Sequence, residues 1–453
     1  MTESINLNAI RSCLEGVTPS VISTVSPDGT PNVTYVSQVH FVDAQHVALS
    51  FQFFNKTREN ILANPYAMVQ VVDPNTAAHY RIALRYLRTE DEGPLFENMK
   101  AKLAGIASHT GMSKVFHLLG ADIYEVLSIE SEQCDPVPIA SKQLNRLAAL
   151  RAAVEQLSAC EDLDELFNEL LVVLEQHFKI DHAMLLMVDQ PGNRLYTVAS
   201  RGYEVSGIGA EIPMGTGIIG VAAQECTPIR IMYLTGEYTY NIAVRDSLLQ
   251  NNQQLELESE IPFAGLAHPH SQLAVPVANI TKDTNNGQLV GVIYVDSEQD
   301  LRFTYEDEDA LMTLAGVLAL SINRCQEPAE SHADDTATVA TGSGQSTQQS
   351  MIHHYCANDS IFIDEEYLIK GVAGAIFWKL ISDYSHHQRT EFNNRELRLD
   401  PALGLPEIGD NLEARLILLQ KRLKERCDFL AIEKTGRGRF QLKVSRAISL
   451  QES

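Results

Sequence analysis

The chain has no C-x-x-C pair, a single tryptophan, and only 35 Lys and Arg against 59 Asp and Glu in 453 residues, a net charge of −24. Its seven cysteines, Cys13, Cys134, Cys160, Cys226, Cys325, Cys356 and Cys427, are odd in number and scattered. By that pattern free thiols are expected rather than disulfides or zinc. No apolar run is long: Leu311 to Ile322 is about half a membrane span. The opening MTESINLNAI has neither a basic segment nor an apolar core, so no secretory signal, no membrane partner and a cytoplasmic location are expected. Disorder is excluded by the 45% of hydrophobic residues. The length exceeds the roughly 250 to 300 residues at which one core stops growing, so several domains are expected.

Acidity on this scale opposes nucleic-acid binding when it is evenly spread, because phosphate neutralisation supplies most of that affinity. It is not evenly spread. Residues 351–453 hold 15 basic and 15 acidic residues, and Arg415 to Arg446 holds 10 basic and 3 acidic ones. The acidic excess therefore lies entirely before residue 351.

The pattern along the chain is multidomain α+β. Residues 20–49 read as strands broken at Pro27-Asp28-Gly29-Thr30-Pro31, an Asp-Gly hairpin signal, and further strand runs reach Ile129. CDPVPI, Cys134 to Ile139, closes this antiparallel barrel of residues 1–134. Residues 135–325 alternate helix and strand as an α/β sandwich. Leu147, Leu150, Val154 and Leu157 form one helical stripe, either docked on its own domain or shared with a second copy. Thr304-x-x-Asp307 is a capping signal for another helix. Residues 326–350, rich in Ser, Thr, Gly and Gln, read as a tether, and 351–453 as a last domain.

Within the first domain, PSVISTVSPDGTPNVTYVSQVHF, HVALSFQFFNKTREN and ILANPYAMVQVV resemble the pyridoxamine 5′-phosphate oxidase-like flavin-binding split β-barrel. That resemblance implies FMN, with haem a weaker candidate. It also implies that a strand-ending turn, Lys56-Thr57-Arg58, holds the flavin phosphate at a homodimer interface. A hydroxyl and a guanidinium suit a dianion, since charge-assisted bonds are the strong ones. No Lys or Arg occurs from Ser12 to Asn55, so Arg81 and Arg85 are the further candidates for positive charge.

The central domain carries Glu211-Ile212-Pro213-Met214-Gly215-Thr216-Gly217-Ile218-Ile219-Gly220, SQLAVPVAN and GQLVGVIYVDSEQD in order, and resembles a GAF domain. The resemblance implies a small-molecule ligand or a dimerisation role. Its glycine run is expected to belong to that pattern rather than to a dinucleotide fingerprint. His268 and His270 read as polar loop residues rather than metal ligands, Cys226 as a small buried side chain, and His353-His354 as solvated loop residues.

The last domain has a short hairpin IFIDEEYLIKG, a helix with Ile376, Phe377, Leu380 and Ile381, two further helices, and FLAIEKTGRGRFQLKV. It resembles the winged helix-turn-helix of response-regulator transcription factors. On its third helix Leu412, Leu416, Leu419 and Leu423 form an inward stripe, with Arg415, Lys421 and Arg422 lying off it. Those three, with Arg437 and Arg439 of the glycine hairpin, are the candidates for duplex DNA. A basic face that contacts a protein partner is the competing reading.

No nucleophilic triad, nucleotide loop or paired catalytic carboxylate emerges. The order of parts points to a one-component sensory regulator rather than an enzyme. An FMN-dependent oxidoreductase regulated by its GAF domain is the alternative.

Overall fold

A computed structural model describes residues 5–14, 18, 20–36, 39–51, 56–109, 118–132, 144–189, 192–232, 261, 263–279, 288–326, 346–401, 403, 412–436 and 438–453. Among them no helix is long and apolar enough to cross a membrane.

The N-terminal strands β1 (Ser20–Val25), β2 (Pro31–Val36), β3 (Val39–Phe41), β4 (His46–Phe51), β5 (Tyr66–Val72), β6 (His79–Glu90) and β7 (Gly120–Ser131) form one antiparallel sheet in the order β2-β1-β5-β6-β7-β4-β3. It curls around Ile22, Val47, Val69, Ile82 and Tyr124, but among the described residues its edge strands β2 and β3 do not pair with each other, so it is a half-barrel. The expected hairpin is present. Gly29 takes φ +86°, and the Thr30 amide donates to the Asp28 carboxylate at 3.1 Å, tying the loop. Lys56-Thr57-Arg58, expected as a turn, instead begins the helix α1 (Lys56–Ala63).

Helix α2 (Pro94–His109) buries Met99 against this sheet and packs also on the central domain, where Ala101 lies fully buried in one cluster with Ile229. A Cβ on Gly105 would stand 2.5 Å from Ile229 Cγ2, so only glycine lets the helix come this close. Glu308 then joins the two domains, accepting from Lys102 Nζ at 3.4 Å and from Arg230 Nε at 2.8 Å.

The central strands β8 (His182–Asp189), β9 (Arg194–Arg201), β10 (Glu211–Pro213), β11 (Ile229–Met232), β12 (Ser271–Asn279) and β13 (Gln288–Ser297) make a six-stranded antiparallel sheet, order β10-β9-β8-β13-β12-β11. Strict alternation feeds two cores. Leu185, Met187, Leu273, Val275, Ile293 and Val295 face α3 (Arg146–Ala159), α4 (Leu163–Phe178) and α6 (Tyr305–Gln326). Met184, Leu186, Ala274, Val292 and Tyr294 face α5 (Gly217–Gln224). The capping signal of α6 works as expected: the Thr304 amide donates to Asp307 at 2.9 Å, and Arg146 meets the same buried carboxylate at 2.8 and 3.0 Å. Of the α3 stripe, Leu157 is fully buried whereas Leu147 is 78% exposed, because α3 turns Ala149, Ala153 and Leu157 inward.

In the last domain β14 (Ser346–Tyr355) begins five residues inside the stretch expected as a tether; residues 327–345 lie outside the described ones. It pairs antiparallel with β15 (Ser360–Ile363), which pairs with β16 (Glu366–Ile369), while β20 (Arg446–Glu452) runs parallel to β14. Asp364 and Glu365 both take positive φ in the β15–β16 turn, as a tight hairpin requires. There follow α7 (Gly371–His387), β17 (Glu391–Asn393), α8 (Asn394–Leu399), α9 (Leu412–Arg426), β18 (Leu430–Gly436) and β19 (Arg439–Val444), with β19 between β17 and β18.

Candidate functional site

Two places concentrate polar side chains where solvent is excluded. The first lies on the α5 side of the central sheet. Gln272 and Asp296 are register partners on β12 and β13, and Tyr294 stands two residues along on the same face. The buried Asp296 carboxylate accepts from Tyr203 Oη at 2.9 Å, the Leu266 amide at 3.1 Å and Tyr294 Oη at 3.3 Å. Gln272 Nε2 donates to Tyr294 Oη at 2.7 Å, and its buried Oε1 has no hydrogen-bond partner among the described residues. Burial outweighs these donors and pushes the Asp296 carboxyl up. Burial and the neighbouring Asp296 also push the Tyr203 phenol up. The arrangement offers a carboxyl, two phenols and an amide oxygen beside an apolar wall of Ile218, Ile219 and Ala222, which suits a small ligand with hydrogen-bond donors.

This row was missed in the sequence, although its signal is there. QLVGVIYVDS breaks apolar alternation with Tyr294 and Asp296 on one face, opposite Gln272. Of the histidines nearby, His268 is exposed and His270 faces Asp300 at 3.3 Å. Burial raises the Cys226 thiol, which disfavours the reactive thiolate. The glycine run shapes the entry to α5: Gly215 and Gly217 take positive φ, and a Cβ on Gly220 would meet the Pro213 carbonyl at 2.4 Å.

The second place is the junction of α9 with the central domain. Leu412, Leu416, Leu419 and Leu423 turn inward as expected, but Arg415 and Arg422 are only 4% and 3% exposed. They were expected on an open groove-facing side. The reason is that the opposite side of α9 packs on β9 and α4. Arg415 Nη2 meets Asp189 Oδ1 at 2.8 Å, and its guanidinium lies 5.4 Å from the Tyr196 ring centre. Lys421 Nζ reaches Asn168 Oδ1 at 3.1 Å and the Val198 carbonyl at 3.3 Å, and burial lowers its pKa. Arg422 Nε donates to the Leu368 carbonyl at 3.1 Å inside its own domain. Lys434 of the hairpin reaches Asp162 at 2.9 Å. Beside them opens a cleft of about 1060 Å³ lined by Asp162, Arg324, Glu413, Gln420 and the exposed Arg439. Arg437 lies outside the described residues.

The half-barrel positions its basic candidates against carboxylates. Arg58 meets both Asp122 oxygens, donates to Thr89 Oγ1 at 3.0 Å and lies 3.8 Å from the Phe51 ring centre. Lys56 pairs with Glu59 at 3.3 Å, Arg81 with Glu132 and Arg85 with Glu125. Thr57 accepts from Asn32 Nδ2 at 2.9 Å. A phosphate dianion at Arg58 would stand beside the Asp122 carboxylate. The residues of this chain at that place therefore do not fit a flavin phosphate.

Comparison with known families assigns two stretches of the chain. Residues 162–322 match the family described as GAF domain, and residues 7–126 the family described as pyridoxamine 5′-phosphate oxidase. The centre of the chain is a GAF domain. Its N-terminal neighbour is a half-barrel of the pyridoxamine 5′-phosphate oxidase type. Among solved structures, the GAF domain of an Acinetobacter phosphoenolpyruvate-protein phosphotransferase is 19% identical, covering 40% of this chain and 95% of its own, with a TM-score of 0.30. Free methionine-R-sulfoxide reductase from Neisseria meningitidis is 18% identical, covering 41% and 94%, with a TM-score of 0.30. An FMN-binding protein from Syntrophomonas wolfei is 17% identical over 28% of this chain and 86% of its own, with a TM-score of 0.25. No curated protein matches the chain.

Proposed function

We propose that the protein is a one-component sensory regulator in which the GAF domain takes a small ligand at Asp296 and controls what residues 351–453 can touch. The observation that carries this reading is the Arg415–Asp189 ion pair. It fastens a basic helix of the last domain to the strand end of β8, so an event in the GAF sheet bears directly on the output helix. A buried pair costs several kcal/mol to break by removing one partner, which makes the contact a two-state latch.

The order α7, β17, α8, α9 and the β18–β19 hairpin supports reading this domain as a winged helix-turn-helix with α9 for the major groove and the hairpin as the wing. Duplex DNA is then the output, through Arg415, Lys421, Arg422, Arg437 and Arg439, and α9 must leave the GAF sheet before its share of these can reach it. A protein partner is the second reading, favoured by one observation: α9 already serves as a protein-binding face. FMN would have to displace Asp122 from Arg58, which weighs against the oxidoreductase alternative.

The test is selection of duplexes from a random pool by the full chain and by Asp189→Arg. Enrichment of a sequence by the variant above the wild type supports the regulator reading. No enrichment by either leaves the protein-partner reading.

A further inference from the structure

His354 and His353 occur on the strand β14, not in a solvated loop, and alternation sends one of them inward. His354 is buried, its ring stacked on Trp378 with centroids 4.7 Å apart and planes 25° from parallel. Cys356, two residues on, falls on the same side of the chain. The parallel strand β20 brings its last residue opposite them: His354 and Glu452 are register partners, the Ser453 amide donates to the His354 carbonyl at 2.9 Å, and the Cys356 amide to the Ser453 carbonyl at 2.9 Å.

The side chains of His354, Cys356 and Glu452 consequently converge, with their donor atoms within 4.8 Å of one another. His354 Nδ1 and Cys356 Sγ each stand 3.3 Å from the same oxygen, Glu452 Oε1. On the far side of the ring, His354 Nε2 is 3.0 Å from Asp359 Oδ1. A carboxylate there holds the ring proton on Nε2. Nδ1 then faces the Glu452 carboxylate oxygen, two acceptors that a proton or a metal ion must bridge.

We propose that His354 Nδ1, Cys356 Sγ and Glu452 Oε1 bind a divalent transition-metal ion of the zinc type, with Asp359 orienting the imidazole. Metal–ligand bonds of about 2.0 to 2.3 Å at tetrahedral angles give donor separations of about 3.3 to 3.6 Å, which the two 3.3 Å distances approach. Imidazole, thiolate and carboxylate together suit Zn²⁺ rather than Mg²⁺ or Ca²⁺. Three protein ligands leave the fourth position to water. Binding releases the Cys356 thiol proton to solvent and clamps β20 to β14.

The chain supplies its own reporter, because Trp378 is its single tryptophan. Full-length protein stripped with chelator is titrated with Co²⁺ and, separately, with Zn²⁺. The expected result is one equivalent of Co²⁺ that gives a thiolate-to-cobalt charge-transfer band and quenches Trp378 emission, with Zn²⁺ displacing it. Cys356→Ser abolishes the band, Glu452→Gln weakens binding, and Asp359→Asn lowers affinity about 10- to 100-fold. Thermal melts of each variant separate loss of the site from loss of the fold. Co²⁺ binding without a thiolate band, or a band that survives Cys356→Ser, overturns the proposal. So does the absence of Co²⁺ binding, with Trp378 emission unmoved by either metal.

Discussion

Asp189 and Arg415 lie 226 residues apart in sequence and 2.8 Å apart in space, a buried pair that joins the end of the first GAF strand to α9. Asp189 has a second partner, Arg194 Nε at 3.1 Å, so the carboxylate is held from both sides.

Asp189→Arg places three guanidiniums together and should release α9. Truncating one partner of a buried pair costs about 3 to 5 kcal/mol where the other stays buried, and undocking avoids that cost. Limited proteolysis with trypsin should cut the variant sooner at Lys421 and Arg422 of α9, and duplex binding should rise. Equal proteolysis of wild type and variant would falsify the latch.

Acid should have the same effect. Burial alone raises the Asp189 carboxyl, but Arg415 and Arg194 outweigh it and hold the group below its ordinary 3.8. Arg415's share of that depression stabilises docking, and it is lost as pH falls through the lowered value. Solution scattering from pH 6 down to about 3 should show the dimensions growing, and Asp189→Asn should flatten that change.

Once α9 is released, DNA affinity should fall steeply with salt. Each phosphate contact adds a slope of about −0.9 in log K against log salt, so Arg439→Ala in the Asp189→Arg background should flatten the slope by up to about one unit. An unchanged slope removes Arg439 from the interface.

In the half-barrel, Asp122→Asn should free Arg58 and strengthen FMN binding by about tenfold, about 1.4 kcal/mol. Arg58→Ala should instead destabilise the fold, because Asp122 is left buried without its cation. Fluorescence titration with FMN and thermal melts read the two effects. Wild-type protein that already retains flavin through purification contradicts the reading of Asp122 as a competitor.

A homodimer is expected through the outer face of the half-barrel. Val33 and Met68 flank Ser23 in register, and Tyr35, 79% exposed, lies on the same face beside Val21, an apolar patch on a strongly charged chain. Light scattering should give about twice the 50.2 kDa of one chain, and Tyr35→Glu with Val33→Glu should halve it.

Much of the architecture was legible because it rests on period and punctuation. The Asp28-Gly29 hairpin, the Thr304–Asp307 cap and the buried face of α7 needed only local chemistry. The site needed partners distant in sequence. Nothing near Arg58 in sequence names Asp122, and nothing near Arg415 names Asp189. A subtler signal was present in α9 itself: Ala414, Ile417 and Leu418 make it apolar on more than one side, as a helix buried all round must be. The HH pair of MIHHY likewise sits in a strand pattern, where one of two successive residues faces inward.

The parallel pairing of β14 with β20 also fixes how the last domain bears load. A pull toward the start of β14 and an opposing pull toward the end of β20 run along both strands, so the ladder is sheared rather than unzipped. Its hydrogen bonds must then fail together instead of one after another.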